Sequence, residues 1–248
     1  MLSKNEAKYI QSLSHKKQRQ ESGLFIAEGV KLVDELINSS FLIRKIYATE
    51  QWNRPVSENY DLVRVTEEEL QKISLLQKAN QVLAIVEEPR PEPLQIPENK
   101  WTIALDCIQD PGNLGTIIRI ADWFGIDTIV ASEDSVDAFN PKVVQGTMGS
   151  ITRVKIYYMP VAGFLQTAKV PVYGALLKGQ SVYAIQDARP GILLIGNESK
   201  GIHDQLLPLI NNPVSIPRIG EAESLNAAVA TGILLSHLVW KGQTKEIL

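Results

Sequence analysis

The chain has 248 residues, 44% of them hydrophobic and 21% charged, enough to bury one large core or two smaller ones in a soluble globular protein. A formal net charge of -3 argues against a wholly basic nucleic-acid binder, a single cysteine, Cys107, excludes an internal disulfide, and the three histidines, His15, His203 and His237, lack metal-ligand spacing, so no metal is expected. No charged segment leads into an apolar stretch near Met1, and the longest apolar tract, "AAVATGILLSHLVW", falls short of the roughly 20 residues of a membrane span, so the default expectation is a cytoplasmic protein.

The first twenty residues carry five basic side chains, Lys4, Lys8, Lys16, Lys17 and Arg19, against one acid, Glu6. Such an excess suits a phosphate-facing patch or a solvated helix face, and charge alone does not separate the two. "KNEAKYIQSLSHKKQ" reads as a helix, "GLFIAEG" as a strand or a turn into a helix, and "VKLVDELINS" has helical spacing. "LIRKIYAT" and "YDLVRV" read as strands, "TEEELQKISLL" as a helix and "QVLAIVEE" as a strand. Thr66 followed by Glu69 has capping-box spacing. Residues 1–90 are therefore expected to form a small α/β domain. In "EEPRPEPLQIPENK", residues 87–100, four prolines interrupt the pattern, and residues 91–100 are taken as a linker.

In residues 101–248 the apolar strands "WTIALD", "DTIVAS", "RVKIYY", "PVYGALL", "GILLIG" and "NPVSIP" alternate with helical stretches. Apolar runs without strict alternation are covered on both faces, which predicts a mostly parallel sheet. A last helix is expected from Ser224, with Ser224 as its cap.

Ligands of open parallel sheets sit beyond the carboxyl ends of strands, and three loops there are unusual. In "DCIQDPGNLGTIIR" the glycines permit a tight turn and a close backbone approach. Neither G-x-G-x-x-G nor a P-loop pattern is present, which counts against a nicotinamide-dependent dehydrogenase. Asn113 and Arg119, six residues apart, can converge on one ligand, or they can be an N-cap and a surface arginine. Asp122 reads as a solvent residue and Trp123 as a packing residue. In "IGNESKGI", Glu198 can orient a partner such as Arg119, hold a cofactor's polar group, or sit in an ordinary turn. In "IPRIGEAESLNAAVA", Ser224 and Asn226 open the long C-terminal helix as a polar clamp or as capping residues. Cys107 reads as a small packing residue, because no histidine in its segment can activate it.

Together, "DPGNLGTIIRIADWFG", "IGNESKG" and "IPRIGEAESLN" running into "AAVA" resemble the three motifs of the SpoU (TrmH) branch of the SPOUT RNA methyltransferases. "SKNEAKYIQSLSHKKQRQESGLFIAEGVKLVDEL" is similar to the N-terminal substrate-binding domain of that family. The resemblance implies methyl transfer from S-adenosylmethionine to a ribose 2'-hydroxyl, in ribosomal RNA before transfer RNA. It also implies a C-terminal trefoil knot and a homodimer. By resemblance, Arg119 is the key catalytic residue, Asn113 and Ser224 help to place it and the target nucleotide, and Glu198 and Asn226 complete the polar floor. Cofactor contacts are implied from Leu194, Ile195, Gly196, Asn197, Ile216, Ser224 and Leu225, and RNA contacts from Lys4, Lys8, Lys16, Lys17 and Arg19. Arg218 departs from the methionine that many relatives carry in the third motif, and "VVQGTMGSITRV" resembles the family's small-residue helix without showing whether Gly146, Thr147 or Ser150 faces a ligand. The alternative is a non-catalytic RNA-binding or assembly factor that retains the fold.

Overall fold

The computed structural model describes residues 2–54, 60–90 and 92–243, with side chains as far as Trp240. In chain order the first half holds α1 (Lys4–Ser12), α2 (Lys16–Ser22), β1 (Leu24–Glu28), α3 (Val30–Ile37), β2 (Ile43–Ala48), β3 (Asp61–Arg64), α4 (Glu67–Ile73) and β4 (Val82–Glu87). There follow β5 (Thr102–Leu105), α5 (Pro111–Trp123), β6 (Thr128–Ala131), α6 (Pro141–Thr147), β7 (Lys155–Tyr158), α7 (Val161–Thr167), β8 (Val172–Ser181), β9 (Ile192–Ile195), β10 (Asn212–Ser215) and α8 (Ala227–Gln243). Two compact units result, Met1–Pro91 with Asp137–Thr152, and Glu92–Val136 with Arg153–Leu248.

The first unit is a four-stranded sheet in the order β1-β4-β2-β3, with β2 and β3 parallel and the other pairs antiparallel. One of its cores gathers Phe25, Leu32, Leu36, Ile46 and Trp52, and another gathers Ile10, Leu13, Tyr47, Leu70 and Ile85. The helix expected over "KNEAKYIQSLSHKKQ" is two helices, broken at Leu13 to His15. Arg19 causes no clash there; it completes the corner, because its Nη1 donates to the carbonyls of Leu13 and Ser14, which the break leaves without helical partners. At α4 the Thr66 hydroxyl accepts from the Glu69 amide while Glu69 accepts from the Thr66 amide, so the capping box is present.

Asp137–Thr152 belongs to this first unit although it lies far along the chain. Val144 and Ile151 enter the core of Phe25 and Trp52. In "VVQGTMGSITRV" Thr147 is buried, its hydroxyl donating to the Val144 carbonyl, and Ser150 is buried as well. A Cβ on Gly149, whose φ is +102°, would lie 2.6 Å from the Glu35 side chain, so glycine is required by both space and backbone.

The second unit is a six-stranded, wholly parallel sheet in the order β10-β8-β9-β5-β6-β7. β5, β6 and β9 are buried along their whole length, which is why their sequences run apolar without alternation. β8 runs on to Ser181, and its pairing with β10 jumps from Gly174 to Gln180 between Pro213 and Val214. The C-terminal helix starts three residues later than expected: the Asn226 side chain accepts from the amides of Ala228 and Val229 and so caps α8, while Ser224 lies outside it.

Candidate active site

The loop after β5 enters α5 through Asp110, whose carboxylate accepts from the Asn113 amide, with Pro111 at the first helical position. Asp110 is therefore the cap, and Asn113 sits inside the first turn. That frees the Asn113 carboxamide and turns it inward, where the residue is 7% exposed. Its Nδ2 donates to Glu198 Oε1 at 2.6 Å, and its Oδ1 accepts from Asn226 Nδ2 at 2.7 Å. Three side chains from three strand-end loops thus form one chain, Glu198 to Asn113 to Asn226. Glu198 is oriented towards Asn113 and not towards Arg119.

Asn197 shapes the second loop. Its Nδ2 donates to the Cys107 carbonyl at 2.8 Å, and its Oδ1 accepts from the amides of Ser199 and Lys200. Asn197 and Gly201 exchange both backbone hydrogen bonds, closing the loop into a ring. A Cβ on Gly196 would come within 2.3 Å of the Gly201 backbone, so this crossing admits only glycine.

Arg119 is exposed on α5 and, among the described residues, makes no hydrogen bond or ion pair; its guanidinium is available to an external anion. Ser224 and Leu225 are exposed, and Ser224 does not join the chain of Glu198, Asn113 and Asn226. Leu194 and Ile195 are buried in β9, and Ile216 is half-buried after β10. Arg218 donates to the Ala222 carbonyl at 3.2 Å, folding the third motif on itself. Asp122 is not a bare solvent residue, since it pairs with Arg153 at 3.0 Å. Trp123 is not a packing residue within this chain; it is 84% exposed. Burial, with the carboxylate of Asp134 beside it, pushes the Cys107 thiol up to about 11, so it carries no thiolate near neutrality.

Arg19 corrects the expected RNA contact set. It is 1% exposed, donates through Nε and Nη2 to Asp137, and cannot reach a phosphate. Lys4, Lys8, Lys16 and Lys17 remain exposed, Lys17 lying 3.9 Å from Glu21. Two features were missed in the sequence, the first of them despite a local signal. Asp110 as cap was readable, since Asp-Pro at a helix start is a known signal. The pair of Asp106 and His203, 97 positions apart, carried no local signal.

The model of the SpoU rRNA Methylase family matches residues 100–236, more than half of the chain. The chain belongs to that family. A second model, the MRM3-like substrate binding domain, matches residues 4–84. The 23S rRNA (guanosine(2553)-2'-O)-methyltransferase RlmP of Bacillus subtilis is 30% identical over 232 residues, covering 91% of this chain and 92% of the relative. An AdoMet-bound rRNA methyltransferase structure from Sinorhizobium meliloti is 30% identical with a TM-score of 0.87, covering 100% of this chain and 97% of the other. A structure from Porphyromonas gingivalis, described as TrmH-family, is 35% identical with a TM-score of 0.85 over 96% of this chain and 98% of the other. The SpoU match therefore spans the parallel sheet and all three loops of the site.

Proposed function

We propose that the chain transfers the methyl group of S-adenosylmethionine to a ribose 2'-hydroxyl of ribosomal RNA. The observation that carries this reading is the chain of hydrogen bonds from Glu198 through Asn113 to Asn226, which brings the three motifs of a SpoU-family member to one place. The ribosomal substrate is supported by the Bacillus subtilis relative and the cofactor by the Sinorhizobium meliloti structure.

The residues present suit the cofactor. Among the described residues the backbone of 217–224 enters no backbone hydrogen bond, and Ile219 and Leu225 expose apolar surface beside it. Backbone amides and carbonyls next to apolar side chains, the Ala222 carbonyl held by Arg218 apart, match the edge and faces of an adenine. With Leu194 to Asn197 and Ile216 they would hold the cofactor, whose sulfonium supplies an already activated methyl group. The protein then has to hold the ribose oxygen in line and manage its proton.

Arg119 binds the phosphate beside the target and polarises the hydroxyl. A guanidinium already carries its full complement of protons and is no proton acceptor, so the proton leaves late, through water. Asn113, held at both ends of its carboxamide, fixes the floor on which Arg119 works.

In the same reading the first unit binds substrate RNA through Lys4, Lys8, Lys16 and Lys17. The exposed apolar side chains of Trp123, Val229 and Trp240 support a homodimer through the second unit. The strand order, in which β9 returns between β8 and β5 before β10 forms at the edge, supports a knotted C-terminal segment. Among the described residues no helix is long and apolar enough to cross a membrane, and a ribosomal substrate favours the cytoplasm.

Calorimetric titration of the purified chain with S-adenosylmethionine and with a nicotinamide dinucleotide tests the reading, followed by methyl transfer to ribosomal RNA. Binding of the first alone, with label appearing on a ribose, is expected. Binding of neither, with RNA binding intact, transfers the weight to a non-catalytic RNA-binding factor.

A further inference from the structure

The loop that carries Glu198 is pinned to the end of β5 at two successive residues. One pin is neutral: Asn197 Nδ2 donates to the Cys107 carbonyl. The other is ionisable. Asp106, 5% exposed, uses one carboxylate oxygen to accept from the His203 amide at 2.7 Å, and the other lies 2.8 Å from His203 Nδ1. Between the pins the ring from Asn197 to Gly201 is closed by its own backbone bonds, so residues 197 to 203 respond as a body to whatever loosens either end.

We propose that His203 is a positioning residue for the cofactor cleft, stapling the loop of Glu198 to the end of β5 through Asp106, with a grip that follows the charge on its imidazole. A charged imidazolium adds ion-pair attraction to the hydrogen bond that a neutral imidazole already makes to this buried carboxylate. The groups that face it are Asp106 from the end of β5, Asp134 from the loop after β6, and Lys200 from its own loop. The hydrogen bond to Asp106 and the attraction of that carboxylate, helped by Asp134, hold the imidazole above its ordinary range, against burial and Lys200. The staple is therefore full below the ordinary histidine range and slackens as pH rises through the raised value.

The inference rests on the proposed cofactor reading. Its test is calorimetric titration with S-adenosylmethionine, from about pH 6 to about pH 8.5, of the full chain and of His203→Asn and His203→Ala. Asn keeps a donor for Asp106 without a titrating charge. The wild-type affinity is expected to fall about fivefold more than that of His203→Asn across the range, since the titration of the ligand's own amino group is common to both. His203→Ala should be weaker than His203→Asn at every pH. Equal pH slopes in wild type and His203→Asn overturn the staple while leaving the cofactor reading intact; no binding by wild type at any pH overturns both. In the wild-type chain alone, amide exchange of residues 197–203, corrected for its intrinsic pH dependence, should accelerate as pH rises, and constant protection overturns the proposal without any variant.

Discussion

Asn113 does two jobs that no other side chain of its size and shape can do. Its Nδ2 serves Glu198 and its Oδ1 serves Asn226, so the direction of the amide is fixed at both ends. Asn113→Asp puts a second carboxylate against Glu198 and removes the donor; methyl transfer to RNA should fall at least about 100-fold, because a misplaced floor is costly out of proportion to its displacement. A variant that kept wild-type turnover would take Asn113 out of the machinery. Arg119→Lys keeps a charge and loses the planar fork, so RNA affinity should hold while single-turnover rates drop; full turnover with lysine would show that charge alone suffices. Asn113, Glu198 and Asn226 were visible in the sequence as polar residues at strand ends, but their pairing was not, since Glu198 was as well placed to meet Arg119. Arg19 was misread for a plain reason: a basic residue in a run of basic residues looks solvated, and its partner lies 118 positions away. Arg19→Met should cost about 3 kcal/mol in chemical denaturation, because it strands Asp137 and two corner carbonyls rather than because it removes a charge from a surface.

Among the elements, strands were the most legible. β5, β6 and β9 are short apolar runs bounded by polar loops, and that pattern follows from helices covering both faces of a parallel sheet. Helix starts were legible where the cap is local, as at Thr66, and misplaced where two candidates compete, as with Ser224 and Asn226. The break between α1 and α2 escaped notice because a side chain makes it: Arg19 reaches back to the Leu13 and Ser14 carbonyls, and is itself held by Asp137, 118 positions away. Beside that corner, at the exit of β4, Glu88 is half-buried, and its carboxyl is pushed up to about 7 by burial and then by Asp137, against the pull of Arg19. A carboxyl raised in the folded state favours folding fully below its ordinary range, and that contribution is lost as pH rises through about 7. Stability of the wild-type chain should therefore decline between about pH 5 and about pH 8, and Glu88→Gln should flatten the decline in urea titrations. An equal decline in both would show that Glu88 is solvated in the folded chain.

In the proposed reading the two units divide substrate grip from chemistry, yet the first unit takes a piece, Asp137–Thr152, from within the stretch of chain that otherwise builds the second. A linear reading draws its boundary at the proline-rich stretch and has no means of seeing this return, because Val144 and Ile151 would fit either core by hydrophobicity alone. Arg19 and the four exposed lysines allow the two roles of the N-terminal segment to be separated. Lysines on phosphates release counterions, and each lost contact lowers the slope of log affinity against log salt by about 0.7 to 0.9. Replacing Lys4, Lys8, Lys16 and Lys17 together with alanine should reduce that slope for ribosomal RNA by up to about 3, with no change in S-adenosylmethionine affinity and little in stability. Arg19→Met should do the reverse, lowering stability and leaving the slope of the folded fraction alone. Were the arginine variant to lower the slope and the lysine variant to leave it unchanged, the burial of Arg19 against Asp137 would be wrong, and the lysine face would be a solvated surface with no part in RNA binding.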